Sequence, residues 1–176
     1  MGFAEVKEPK NILVGAASLL MGPKGGSVTD VGYTRDGVTI AKAGDFLDVQ
    51  PDQSAQPVLT MKTGETYVIS TNLLEGSLNS LKLAWGEKGA IVSNKLSLGV
   101  EAKELEEYKL EFYGICPKNG DGVYGERKIT FHRCVVRDYG EVAHTRDAET
   151  VIPITISALY DEAEGCVAVV EDTPAV

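Results

Sequence analysis

The chain is poor in residues that carry chemistry. It has two histidines, His132 and His144, and three cysteines, Cys116, Cys134 and Cys166, in 176 residues. The cysteines are odd in number, widely spaced and without a Cys-x-x-Cys pair, which suits small buried apolar side chains in a reducing compartment. On a strand His132 and Cys134 would share a face, but no second pair of ligands has metal-binding spacing, so no metal site is expected. There is no Ser/His/Asp grouping with motif context, no His-Glu-x-x-His and no glycine-rich nucleotide fingerprint. The Gly22-Pro23-Lys24-Gly25-Gly26 cluster also lacks the spacing of a phosphate loop. The expectation is a protein that is not an enzyme, with no catalytic residue and no cofactor.

Basic residues are scarce too. Seventeen Lys and Arg against twenty-six Asp and Glu leave a formal charge of −9. Affinity for nucleic acid rests on cations displacing counterions, so this balance argues against a protein that grips a phosphate backbone. It does not argue against one that lets DNA pass unheld. The apolar run at residues 12–21 follows mixed charges and stops at Gly22-Pro23. It is too short to cross a bilayer and lacks the cationic leader of a signal peptide, so no membrane insertion is expected. It reads as a buried strand from Ile12 past Gly15 to Leu20, with residues 24–27 as a turn.

What is present is an ordinary globular composition, 43% hydrophobic and 24% charged, able to bury a core. The length fits one domain over residues 1–176, with 1–10, 42–62 and 171–176 as peripheral parts. The stretch 30–61 organises the rest. Asp36-Gly37 is a turn signal, and Val38 and Ile40 alternate with Thr39 and Ala41 as in a half-buried strand. Residues 50–57 then break the pattern, because Pro51 and Pro57 forbid a helix and cannot sit in a central strand. A polar excursion this long is usually functional or disordered. Asp48, Gln50, Pro51, Asp52, Gln53, Gln56 and Pro57 are therefore candidates for an arm ordered against another subunit, its glutamines offering donors and acceptors to a neighbour's backbone.

Beyond the arm, residues 65–70 read as a strand. Leu73, Leu74, Leu78, Leu81 and Trp85 recur at helical spacing, with Thr71 or Asn72 as N-cap and Gly86 as the stop. Leu74, Leu78, Leu81 and Trp85 are the expected core anchors of that helix. Strands follow at 91–100, at 107–113 with apolar even positions, and at 127–137, where Ile129, Phe131, Arg133, Val135 and Arg137 share a face. Asn119 to Gly122 supplies turn chemistry between the last two. Ile152, Ile154, Ile156, Ala158 and Tyr160 give another apolar face, with Pro153 suggesting an edge position, and 165–170 adds a last short strand. The fold class is mainly β, a β-sandwich or partly closed β-barrel with one flanking α-helix and a long extended arm.

The order of these segments resembles the major tail tube proteins of long-tailed, siphovirus-like bacteriophages. The segments that carry it are Gly32-Tyr33-Thr34-Arg35-Asp36-Gly37-Val38, the arm ending at Pro57-Val58, the Leu-rich helix, the charged alternating hairpin and the closing Ile152-Pro153-Ile154-Thr155-Ile156. The resemblance spans residues 10–172. It implies a structural virion protein whose hexameric rings stack into a tube for DNA ejection. It further implies partners in the tape measure, tail terminator and distal tail proteins, assembly in the bacterial host cytoplasm, and a final place in the phage tail. A ring-forming tail terminator or adaptor, a tube protein of the type VI secretion kind and a monomeric binding module are the alternatives.

Overall fold

The computed structural model describes residues 13, 15, 17–99, 104–118, 122–144 and 146–174. Among the described residues ten strands and one helix follow in order: β1 (Ser18–Pro23), β2 (Thr29–Asp30), β3 (Thr34–Val49), β4 (Leu59–Leu73), α1 (Leu78–Ala84), β5 (Ile91–Val92), β6 (Lys95–Leu96), β7 (Tyr108–Lys118), β8 (Tyr124–Tyr139), β9 (Ile152–Ala158) and β10 (Ala168–Thr173). The fold is mainly β, antiparallel and sandwich-like, and no barrel closes among the described residues. Contacts divide the chain into two compact units, one of Met1–Gly32, Glu107–Arg133 and Tyr160–Val176, the other of Tyr33–Glu106 and Cys134–Leu159.

In the first unit β1 pairs with β2 and β7, and β10 pairs with the early part of β8. Leu19 and Met21 lie opposite Phe112 and Leu110. Leu19, Met21, Leu110, Tyr108, Cys116 and Phe131 are buried. The period of two read at 107–113 holds at Tyr108 and Leu110, which are buried, while Phe112 is half-buried and Glu111, on the other face, is buried as well. The N-terminal strand differs from its expected bounds. It begins at Ser18 and runs through Gly22 and Pro23 instead of ending before them. Pro23 is tolerated because it is the last position of the strand. A Cβ on Gly22 would lie 2.2 Å from the Ser27 carbonyl oxygen, so only glycine lets the 24–27 turn fold back over the strand. Ile12, Val14 and Ala16, part of the expected strand, lie outside the described residues, as do the N-terminal segment 1–10 and Asn119 to Asp121.

In the second unit β3 and β4 form a hairpin, β4 pairs on with β9, and β9 with the later part of β8. Register places Ile69 opposite Ile156, Thr71 opposite Ile154 and Leu73 opposite Ile152. All six are buried and form one face, against which α1 packs from β9. Ile152, Ile154 and Ile156 are where the alternation put them, and Tyr160 lies beyond the strand and exposed.

Four expectations need correction here. The helix does not begin at Thr71 or Asn72; those residues and Leu73 stay in β4, held by ladders on both sides. Ser77 is the N-cap, its hydroxyl accepting from the Ser80 N–H at 3.1 Å. The hairpin ladder outweighs helical spacing, and Gly76 falls in the connection, where it strains nothing. The strand expected over 91–100 is only the β5–β6 hairpin, turned at Ser93 and Asn94, both at positive φ. The face shared by Ile129 to Arg137 reaches only to Val135, since a bulge falls between Val136 and Asp138, and Cys134 and Val136 on the opposite face are buried as well. Pro153 is in a central strand, not an edge one. It survives there because β8 pairing starts only at Ile154, so the missing N–H removes no ladder bond on that side.

Candidate functional site

The region expected to be an irregular polar arm is a two-stranded ribbon. β3 continues as strand to Val49 and β4 starts at Leu59, so the irregular part shrinks to residues 50–58. Pairing runs unbroken from Val38 opposite Thr71 out to Val49 opposite Leu59, except for one irregularity between Asp45 and Phe46. There Asp45 faces Gly64 and Phe46 faces Lys62, which leaves Thr63 as the extra residue on β4. A second irregularity, between Arg35 and Val38, takes up Asp36 and Gly37, at φ of 62° and 76°. The turn signal at Asp36-Gly37 is thus a bulge inside a strand, fastened by the Thr71 hydroxyl donating 2.8 Å to the Gly37 carbonyl.

From residue 41 to 62 the ribbon is exposed on both faces, with only Pro51 and Ser54 half-buried. Its two faces differ. Leu47 stands directly opposite Met61, and Val49 opposite Leu59, so these four share one face. Their exposures are 54%, 51%, 40% and 53%, and Val58 beside them reaches 65%. Ile40 precedes Leu47 by seven positions on an unbroken strand, so this apolar face is opposite the one that carries Ile40 and Ile69.

The other face is polar. Thr60 donates 2.6 Å to the Asp48 carboxylate. Glu65 is bonded by Lys62 and lies 3.1 Å from Lys42, whose ammonium is also 5.0 Å from the centre of the Tyr67 ring. Hydrogen bonds from Lys62 and then Lys42 hold the Glu65 carboxyl below its ordinary range. Phe46 is the apolar exception, 65% exposed, and its ring seats over Gly44, where a Cβ would come within 3.1 Å of it. A glycine gap in an edge strand is covered by an aromatic neighbour in this way.

The proposed arm residues sit as follows. Asp48 is on the polar face, and Gln50, Pro51, Asp52, Gln53, Gln56 and Pro57 make the tip. The tip is ordered by its own bonds. Ser54 N–H donates to the Pro51 carbonyl at 3.0 Å, the Gln50 amide donates to the Ser54 carbonyl at 3.2 Å, and the Ser54 hydroxyl accepts from Gln56 N–H at 3.2 Å. At least one glutamine amide is therefore spent at home. What the sequence reading missed is the apolar face just behind the tip. Its signal was available in Leu47-x-Val49 and Leu59-x-Met61, two short period-two runs that the prolines between them hid.

The helix anchors are placed less deeply than expected. Leu78 and Leu81 are half-buried in α1, Trp85 is half-buried at its C-cap, and Leu74 precedes the helix, its N–H donating to the Tyr33 carbonyl. The fully buried helix positions are Ser80 and Ala84, small residues that let the helix approach closely.

The remaining polar chemistry is structural in form. Glu111 is 5% exposed and is bonded by Lys109 at 2.8 Å, Lys128 at 3.2 Å and the Tyr113 hydroxyl at 2.9 Å. Burial alone would raise its carboxyl, but those bonds bring it down to about 2. Lys24 joins Asp161 at 3.0 Å and Glu107 at 3.6 Å, and Arg133 donates to Glu107 at 2.8 Å. Burial pushes the Cys134 thiol up to about 12, which makes it an inert apolar filler. No cluster of three or more His, Cys, Asp and Glu able to hold a metal occurs among the described residues.

No family model matches the chain, and no curated protein matches it. Among solved structures, one described as "Crystal structure of Hcp protein" is similar over 89% of this chain and 98% of that chain, at 8% identity and a TM-score of 0.37. A superposition that loose says nothing about activity or partners.

Proposed function

We propose that this protein is a structural subunit that assembles with its own copies into rings, and that the rings stack into the tail tube of a long-tailed bacteriophage, a conduit for DNA. One observation supports the assembly step most. The ribbon over residues 42–62 leaves its unit with both faces in solvent and an apolar face of four aliphatic side chains, an arrangement that burial within the same chain does not explain. An isolated two-stranded ribbon is marginally stable in water, so a partner surface is the natural source of its missing burial. The tube, the phage and DNA passage rest on the resemblance in segment order and on an acidic chain suited to repelling phosphates from a wall. The protein assembles in the host cytoplasm and ends in the virion, with tape measure, tail terminator and distal tail proteins as its other partners.

Size-exclusion chromatography across a concentration series, with negative-stain microscopy of each fraction, tests the proposal. Hollow tubes or stacked rings forming without nucleotide or metal, and unchanged by EDTA, are the expected result. Monomers at every concentration overturn it, and single rings that never stack favour an adaptor.

A further inference from the structure

The ribbon carries a joint of its own where it leaves the sheet. We infer that residues 46–62 swing as one piece about Gly44, Gly64 and Thr63, and that two contacts on the polar face, the Lys62 bond to Glu65 and the seat of Phe46 on Gly44, latch that piece at the angle seen. Such a joint belongs to the single chain and works with or without assembly. β4 keeps β9 on its second edge only from Leu73 out to Tyr67, which faces Ala158. Beyond that row β4 pairs only with β3 among the described residues. One row further on the ribbon weakens: Gly44 faces Glu65, Asp45 faces Gly64, and Thr63 is then inserted without a partner. A cross-strand row with glycine on one side has no side-chain pair, and a bulge interrupts the ladder and bends its strand. Past Thr63 the ladder resumes from Phe46 opposite Lys62 to Val49 opposite Leu59, and the Val58 N–H closes it on the Val49 carbonyl at 3.0 Å. The tip adds its own bonds, so everything beyond the joint moves together.

Both latches cross the joint on the same side. Lys42, Gly44 and Phe46 alternate along β3, and Tyr67, Glu65 and Lys62 stand opposite them. Lys62, on the outer side of Thr63, bonds Glu65 on the inner side. Lys42 holds the same carboxylate oxygen at 3.1 Å and lies 5.0 Å from the centre of the Tyr67 ring, which anchors the latch to the last row that β9 supports. Phe46, also on the outer side, lays its ring over inner Gly44, where a Cβ would be 3.1 Å from it. On the opposite face the joint has only the short side chains of Ala43, Asp45 and Thr66 beside Gly64, which leaves room to bend that way once the latches open. The Lys42 and Lys62 side chains are about half exposed. Ion pairs in that setting are individually weak and screened by salt, so the ionic latch is one that can be released.

The test is the distance between spin labels carried on p-acetylphenylalanine in place of Thr39, in the supported half, and of Val49, in the outer piece, read by double electron–electron resonance on the dilute chain. Ten residues of extended strand span about 34 Å, and the parent is expected to give one narrow distribution near that length. Glu65→Gln with Phe46→Ala, shown to be folded by circular dichroism, is expected to broaden it with a tail to shorter distances. Adding Gly44→Val and Gly64→Val to that variant is expected to restore the narrow distribution, because side chains then fill both bare rows. With the Phe46 ring gone a Cβ at position 44 has room, and one at position 64 would meet only the movable Asp45 carboxylate, at 3.3 Å. Should the double variant not fold, Glu65→Gln and Phe46→Ala are read singly, each broadening the distribution less. A parent that is already broad overturns the latches. Unlatched variants as narrow as the parent overturn the joint, and a distribution that stays broad after the glycine replacements overturns its place at Gly44 and Gly64.

Discussion

The inner and outer halves of the β3–β4 hairpin have the same ladder of hydrogen bonds and opposite surroundings. In the inner half β4 is paired on both edges, to β3 and to β9, and Ile69 and Leu73 are fully buried. In the outer half β4 is paired only to β3, and Leu59 and Met61 are about half exposed, at 53% and 51%. Backbone pairing is therefore enough to set geometry and not enough to hide side chains. Fully burying one aliphatic side chain is worth roughly 1.5–3 kcal/mol, so the half still exposed on each of the four outer residues holds about 1 kcal/mol in reserve. The inner half spends that energy on folding. On the proposed assembly, the outer half keeps it for a partner.

The largest effect that would sharpen this contrast is on assembly. Leu47→Ser with Leu59→Ser should leave a folded monomer whose melting temperature moves little, since exposed substitutions usually stay within about 0.5 kcal/mol. The same pair should abolish rings and tubes in negative stain. The converse change belongs to the inner half. Ile156→Ala, at a position with 0% exposure opposite Ile69, should cost about 2–5 kcal/mol in urea unfolding. If the outer pair unfolds the chain, or the inner one does not weaken it, the two halves are not different in kind.

Much of the buried sheet was legible in the sequence, because a buried face imposes period two on Ile152, Ile154 and Ile156 in β9 and on Tyr108 and Leu110 in β7. The outer half was legible only in part. Pro51, Pro57 and the glutamines marked an excursion correctly, yet attention to the polar tip hid the aliphatic pairs flanking it. The helix start was misread for a related reason. Leu73 and Leu74 fit a helical stripe, but long-range pairing of β4 with β3 and β9 decided the matter, and no local pattern reports such pairing. The bulge at Thr63 and the close seat of Phe46 on Gly44 depend on register and were not readable at all.

A smaller effect concerns the first unit, where burial is combined with charge. Glu111 has its carboxyl lowered from the usual 4.5 to about 2. A lowered folded-state value contributes stability that is present above pH 4.5 and is lost as pH falls towards 2, on the order of 3 kcal/mol. Thermal melts of Glu111→Gln should show lower stability at neutral pH and a flatter acid limb between pH 5 and 2 than the parent. Equal pH dependence in both proteins would mean that the lysine bonds to Glu111 contribute nothing net.

The smallest effect should come from the tip. Replacing residues 50–57 by an Asn-Gly turn shortens a surface loop whose bonds are internal, and closure entropy changes slowly with length, so stability should move by about 0.5 kcal/mol or less. Assembly should weaken without disappearing, because the apolar face remains. Complete loss of assembly from this change alone would return the contact to the polar tip.

Amide hydrogen exchange read by mass spectrometry, on the same protein dilute and assembled, tests the central claim most directly. The claim requires that residues 46–49 and 59–62 exchange fast when dilute and become strongly protected on assembly, while residues 67–73 and 152–158 are protected in both states. Equal exchange of the outer ribbon in both states, beside demonstrated assembly, would contradict it.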